Sequence, residues 1–258
     1  MRRLLFAGLL SGVLISGAFA QAAPDAQRML AASDAIRSPS SPFVLNAALT
    51  EYRAGKQVDS NVLSIWSKPD DGGGTYRTLV RFEAPARDTG KLMLKNGNDL
   101  WFYDPASQAS VRISPDQRLL GQESNGDVVT TNFAHDYTAT LKGTEDVMDG
   151  DRQTRRCNSL SLTGNVPGLT YRRIDMWLDA QSSRPVKAKF YSESGRLLKT
   201  AFYRSYAPQL GAERPTEIVI IDGLDSSWVT VLRFSNYAWH EIPDAWLQRD
   251  YLPRFKPQ

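Results

Sequence analysis

Apolar and polar residues recur with two different periods along this chain. Near its start the period is helical. Between Pro24 and Arg37, the residues Ala26, Met29, Leu30, Ser33 and Ile36/Arg37 share one partly apolar face, and Pro24 suits a first turn. Ser38-Pro39-Ser40-Ser41-Pro42 ends that helix. From Phe43 the period becomes two. Phe43–Tyr52, Val58–Ser67, Tyr76–Glu83, Lys91–Lys95 and Leu100–Tyr103 are runs of aromatic and branched residues. Ala54-Gly55-Lys56, Asp70–Gly74 and Asn96-Gly97-Asn98 separate them as turns. Strands resume at Thr138–Asp146, Thr154–Leu162, Arg173–Asp179, Val186–Tyr191, Leu197–Tyr206, Glu217–Asp222 and Ser227–Phe234, with turns at Ser194-Gly195 and Asp222-Gly223. Turns this closely spaced, with no helix-length segment between the strands, predict antiparallel hairpins and exclude βαβ units.

Ser114–Tyr137 breaks the alternation. It is polar, carries Gly121, Asn125 and Gly126, and offers two short helical stretches, Gln117–Leu120 and Val128–Ala134. A long irregular stretch inside a strand-rich domain is often functional, so residues 114–137 read as a helical lid or plug. Pro243–Gln248 reads as a short closing helix. This many strands in one sheet must curl, because strands twist. The expected fold is mainly β: a large, curled, half-open antiparallel β-barrel with an N-terminal helix and a helical lid insert. Helices covering its inner face would leave a cavity.

The first twenty residues have another character. Arg2 and Arg3 precede an apolar run of 12 residues, Leu4–Ile15, and Ala18-Phe19-Ala20 forms a cleavage site before Gln21. This is the order of a cleaved secretory signal. The uncharged stretch Leu4–Ala20 has 17 residues, short of the roughly 20 a spanning helix needs. Residues 1–20 are therefore expected to be a signal peptide, residues 21–258 a single domain, and the location the periplasm. Arg2 and Arg3 are two of the 31 basic side chains, so the mature chain has 29 against 28 acidic residues, a net charge of +1. That balance argues against nucleic acid as a partner.

The sequence offers little for catalysis. His135 and His240 are its only histidines and Cys157 its only cysteine, which excludes an internal disulfide and any zinc spacing. His135-Asp136 has no strained nucleophile context beside it. Gly72-Gly73-Gly74 opens into a strand and lacks the helix N-terminus that holds a phosphate. No catalytic residue, metal site or cofactor is assigned, and the protein is expected not to be an enzyme. The 6 Trp, 10 Tyr and 10 Phe instead supply large apolar side chains to alternating strands. Trp66, Phe82, Leu92, Leu94, Trp101, Tyr103, Met176 and Phe190 are the candidate cavity-lining residues. A one-residue slip of register would turn each of them to the other face.

Two local motifs add a resemblance. Phe82-Glu83-Ala84-Pro85 ends one strand, and Gly97-Asn98-Asp99-Leu100-Trp101-Phe102-Tyr103-Asp104-Pro105 forms the next hairpin arm. Together they resemble the LolA-type outer-membrane lipoprotein-sorting proteins. The resemblance runs over about residues 25–240, with front helix, strands and polar insert in the same order. Arg87, Gly90-Lys91-Leu92 and Leu119-Leu120-Gly121 resemble a longer branch of that family, some members of which are associated with large lipid-exporting transporters. The resemblance implies an unclosed barrel with a lid over an apolar cavity that takes acyl chains of lipoproteins or free lipid. It further implies an inner-membrane transporter as donor and an outer-membrane acceptor. The alternative within the same fold is a sensor or adaptor of lipid or lipoprotein that acts on a membrane partner. The family's lid-contacting arginine lies in an early strand, and Arg53 is the nearest position, on a poor local match.

Overall fold

The computed structural model describes residues 25–120 and 123–256. The expected signal peptide and its cleavage site fall outside the described residues. Helix α1 (Ala26–Arg37) starts where the Asp25 side chain accepts a hydrogen bond from the Gln27 amide. It ends at Ser38, whose extended backbone leads into Pro39. Six strands follow: β1 (Phe43–Arg53), β2 (Lys56–Pro69), β3 (Tyr76–Ala84), β4 (Leu92–Asn96), β5 (Asp99–Asp104) and β6 (Ala109–Arg112). Next come a small hairpin, β7 (Arg118–Leu120) and β8 (Glu123–Ser124), a 3-10 turn Asn125–Asp127, and one helical turn, α2 (Phe133–Asp136). The second half holds β9 (Tyr137–Met148), β10 (Thr154–Gly164), β11 (Arg173–Asp179), β12 (Pro185–Tyr191), β13 (Leu197–Gln209), β14 (Ala212–Asp222) and β15 (Trp228–Trp239). Two 3-10 turns, Asp244–Leu247 and Arg249–Arg254, follow the last strand.

Thirteen strands form one antiparallel sheet in the order β6-β5-β4-β3-β2-β1-β15-β14-β13-β12-β11-β10-β9. β1 pairs with β2 on one side and β15 on the other, so the two halves of the chain join there. The sheet curls without closing, and β6 and β9 are its edges. The expected half-open antiparallel architecture with an N-terminal helix is the one observed.

Register assigns the faces. Ile65, Val80, Met93 and Phe102 are successive cross-strand partners on β2–β5, and they face the inside of the curl. There they join Phe43, Ala47 and Leu49 of β1, Leu30 of α1, and Ile174 and Met176 from the far end of the sheet. The neighbouring row, Trp66, Leu79, Leu94 and Trp101, faces the other way. A second core covers that row, built from Ile242, Trp246, Leu247 and Leu252 of the C-terminal segment. The Trp66 ring meets Phe255 at 5.3 Å and Trp246 at 6.4 Å, both edge-on. Asn96 donates to the Leu247 carbonyl at 2.9 Å and Lys68 to Asp244 at 2.7 Å, which fastens the segment to the sheet.

Two local expectations need correction. Of Gln117–Leu120, expected to be helical, Gln117 is a bend and Arg118–Leu120 form strand β7; most of Val128–Ala134 is irregular, with the helix confined to Phe133–Asp136. The cause is hydrogen bonding to the sheet. The Thr130 hydroxyl lies 2.5 Å from that of Ser67, and the Thr130 amide donates to Thr78 at 3.3 Å. These contacts compete with helical backbone pairing.

Candidate functional site

The segment between β6 and β9 lies across the inner face of the sheet. Val128, Val129 and Phe133 enter the inner core, and Leu119 packs against it. Two side chains of α1 hold its far end. Gln27 donates to the carbonyls of Ala134 (2.6 Å) and Tyr137 (3.0 Å) and accepts from the Ala139 amide at 2.9 Å. Asp34 accepts from the Ala134 amide at 2.6 Å and pairs with Arg37, whose guanidinium sits 4.0 Å above the Phe133 ring. Burial pushes the Asp34 carboxyl above its ordinary range, although Arg37 and the Ala134 amide pull it down. At the near end, Gly126 donates its amide to Pro115 at 2.8 Å. A Cβ at Gly126 would lie 2.0 Å from the Thr170 hydroxyl and 3.2 Å from the Pro115 carbonyl, so glycine permits this close approach.

Beneath this covering segment is a cavity of about 110 Å³. Phe133, Phe190, Ala201, Ile220 and Leu232 form its apolar wall. One end is polar. Lys199 of β13 is 2% exposed and Glu123 is 1% exposed. The Lys199 ammonium lies 2.5 Å from Asp127 and 3.9 Å from Glu123, both on the lid. Tyr171 donates its hydroxyl to both oxygens of Asp127, at 2.9 and 3.1 Å. Burial by itself would lower Lys199; Asp127 and Glu123 more than reverse this and hold it charged, well above its ordinary value. Burial raises the Glu123 carboxyl well above its ordinary value, although Lys199 pulls it down. Neither of its oxygens has a hydrogen-bond partner among the described residues. Glu123, Tyr171 and Lys199 also line an outer cleft of about 460 Å³ that holds Arg53 and Arg196. These three side chains thus partition the cavity from the cleft.

Solved structures share this overall fold. A LolA superfamily protein from Nitrosomonas europaea is 34% identical, with 89% of this chain and 100% of that one covered and a TM-score of 0.79. The chain belongs to the LolA superfamily. A family profile described as an uncharacterized protein matches residues 74–254. No curated protein matches the sequence. Two more distant structures have the same LolA-like fold. A DUF1329 family protein from Desulfovibrio piger is 23% identical, covering 88% of this chain and 97% of its own, with a TM-score of 0.75. An outer-membrane lipoprotein-sorting protein domain from Vibrio parahaemolyticus is 18% identical, covering 89% and 98%, with a TM-score of 0.74.

Within this LolA-superfamily fold the eight candidate lining residues separate. Phe190 lines the cavity, and Phe82 and Met176 lie in the same inner core. Trp66, Leu92, Leu94 and Tyr103 are buried in the opposite core, and Trp101 packs against it. These five lie beneath the C-terminal segment and not under the lid, because the register turns them outward. Arg53 stands at the mouth of the cleft, over the Trp228 ring and beside Glu51. The arginine that touches the lid's Phe133 is Arg37, from α1. Lys199, Glu123, Asp127 and Tyr171 were not singled out from sequence. A signal for one exists: Lys199 shares its phase with Ala201 and Tyr203, so a charge occupies an inward position of β13.

Proposed function

We propose that this protein is a periplasmic carrier that buries acyl chains of a lipoprotein or free lipid between lid and sheet and passes them towards the outer membrane. The observation that carries the reading is a covering segment fastened by discrete polar contacts over an inner apolar wall that retains a cavity. Membership of the LolA superfamily supports it. The mechanism is burial. Each methylene withdrawn from water contributes roughly 0.8 kcal/mol, so a single acyl chain supplies ample affinity. The closed cavity, about 110 Å³, is smaller than pockets that enclose whole ligands, which span roughly 300–1,000 Å³. Loading therefore requires the lid to lift. Its contacts with α1, Ser67, Thr78, Tyr171 and Lys199 are the ones that break. An inner-membrane lipid exporter as donor and an outer-membrane acceptor complete the route.

The test is direct. Protein purified from the periplasm is extracted with organic solvent, and the extract is analysed by mass spectrometry. Acyl lipids in stoichiometric amount, together with uptake of an apolar fluorescent probe by delipidated protein, are the expected result. An extract without lipid and a protein that takes up no probe would reject the reading.

A further inference from the structure

The carrier reading names a chain but not a headgroup, and the polar end of the cavity bears on that. Lys199 sits on the sheet wall, with the Tyr171 and Phe190 rings 5.1 and 5.2 Å from its ammonium. Both acids beside it, Asp127 and Glu123, belong to the covering segment. When that segment lifts, both acids leave with it. Lys199 and the Tyr171 hydroxyl remain on the wall.

The Asp127 carboxylate displays what those two donors are built to hold. One of its oxygens accepts from Lys199 at 2.5 Å and from Tyr171 at 2.9 Å, and the other accepts from Tyr171 at 3.1 Å. Glu123, 1% exposed and without a hydrogen-bond partner among the described residues, lines the same space. A neutral cargo in the opened cavity would put no charge in the place that Asp127 vacates. An anionic one would restore the pair. We propose that Lys199, with Tyr171, anchors the anionic headgroup of a bound acyl lipid, and that Asp127 of the lid occupies this anchor when the cavity is closed.

Geometry gives the lipid a direction. Its chain runs inward along Phe190, Ile220 and Leu232, and its headgroup stands at the partition facing the outer cleft. Arg53 and Arg196 line that cleft, and so do Asp116, Asp222 and Asp225. Asp222 and Asp225 accept from amides of their own turn, at Leu224, Asp225 and Ser227. The chemistry recognised is a carboxylate or phosphate monoester on a single acyl chain. Asp127 is then a built-in competitor, and a headgroup that takes Lys199 from it releases the lid.

This inference rests on the carrier reading, and the experiment separates the two. Delipidated protein is loaded with the neutral probe N-phenylnaphthylamine. The probe is then displaced with laurate, lauroyl lysophosphatidate or methyl laurate. At least one anion should displace it about tenfold more tightly than the ester, the equivalent of one charge-assisted hydrogen bond. Whichever anion is tighter identifies the source as a fatty acid or a phospholipid. Lys199→Met should reduce that preference to about twofold or less, while Asp127→Asn should tighten binding of the anion more than of the ester. A wild-type protein that binds acid and ester equally overturns the headgroup assignment and leaves the carrier reading intact. A protein that takes up neither probe nor any of the three ligands loses both. Should Lys199→Met fail to fold, the wild type and Asp127→Asn decide the question.

Discussion

The pair formed by Asp34 and Arg37 makes a prediction that can be worked through in energy. Asp34 is buried beneath the covering segment, Arg37 beside it is mostly buried, and Asp34 also accepts from the Ala134 amide. Arg37 Nε is buried without a hydrogen-bond partner among the described residues. Each partner's ionisation reports the pair differently. Asp34 is raised by burial in spite of Arg37, whereas Arg37 is raised by Asp34 in spite of burial. Arg37 stays charged in either case, so the carboxylate carries the cost of the site. Asp34→Leu leaves the guanidinium buried and unpaired, which costs about 3–5 kcal/mol. Arg37→Met should cost less, about 1–2 kcal/mol, because Asp34 can take a proton and become neutral. In the double variant no charge is left unpaired. What remains is the unsatisfied Ala134 amide, about 1–3 kcal/mol. The two substitutions are therefore strongly non-additive, and the double variant should be more stable than Asp34→Leu alone. The sign with pH follows from the raised Asp34. Its folded pKa lies above the unfolded value, so its burial cost is fully present above the folded pKa. That cost is relieved as pH falls through the folded pKa towards the unfolded one. Urea denaturation of the four proteins at constant slope measures the coupling. Hydrogen exchange at the Ala134 amide reports the lid and should quicken in every variant lacking Asp34. Additive losses in the double variant would refute the argument.

Three further outcomes are expected. Cys157 is fully buried and burial pushes its thiol up to about 11, so iodoacetamide at pH 8 should leave native protein unlabelled and modify it only in urea. Gly223→Ala places a Cβ 2.4 Å from the Leu197 carbonyl, which must displace the start of β13; thermal melts should show a loss of about 1–3 kcal/mol. Phe190→Ala and Trp246→Ala should each destabilise by about 3–5 kcal/mol, yet only Phe190→Ala should weaken probe uptake per folded molecule, because Trp246 lies in the outer core.

The contrast between Phe190 and Trp66 shows how far a sequence of this kind can be read. Alternation tells which residues of a strand lie on the same side, but it missed β6, began β14 at Glu217 where it starts at Ala212, and ended β15 at Phe234 where it runs to Trp239. It could not say which side is inside. In an ordinary half-buried sheet the aromatic face would be the inner one. Here both faces are covered, the inner by α1 and the lid, the outer by the C-terminal segment. A trace of this is present in β4, where Leu92, Met93 and Leu94 are all apolar and all buried. Such a run belongs to a strand covered on both sides. The covering segment was legible as an interruption, but its conformation depends on hydroxyls of Ser67 and Thr78 that lie far away in sequence. The polar end of the cavity is the least local feature of all. Lys199, Asp127 and Tyr171 come from a strand, a turn and a loop, and only the curl of the sheet brings them within hydrogen-bonding distance. What sequence could have offered is the anomaly of a lysine in the inward phase of β13. A charge retained at that position needs a partner. The segment between β6 and β9 supplies one in Asp127, and so the residue that disturbs the pattern is the one on which the proposed headgroup anchor rests.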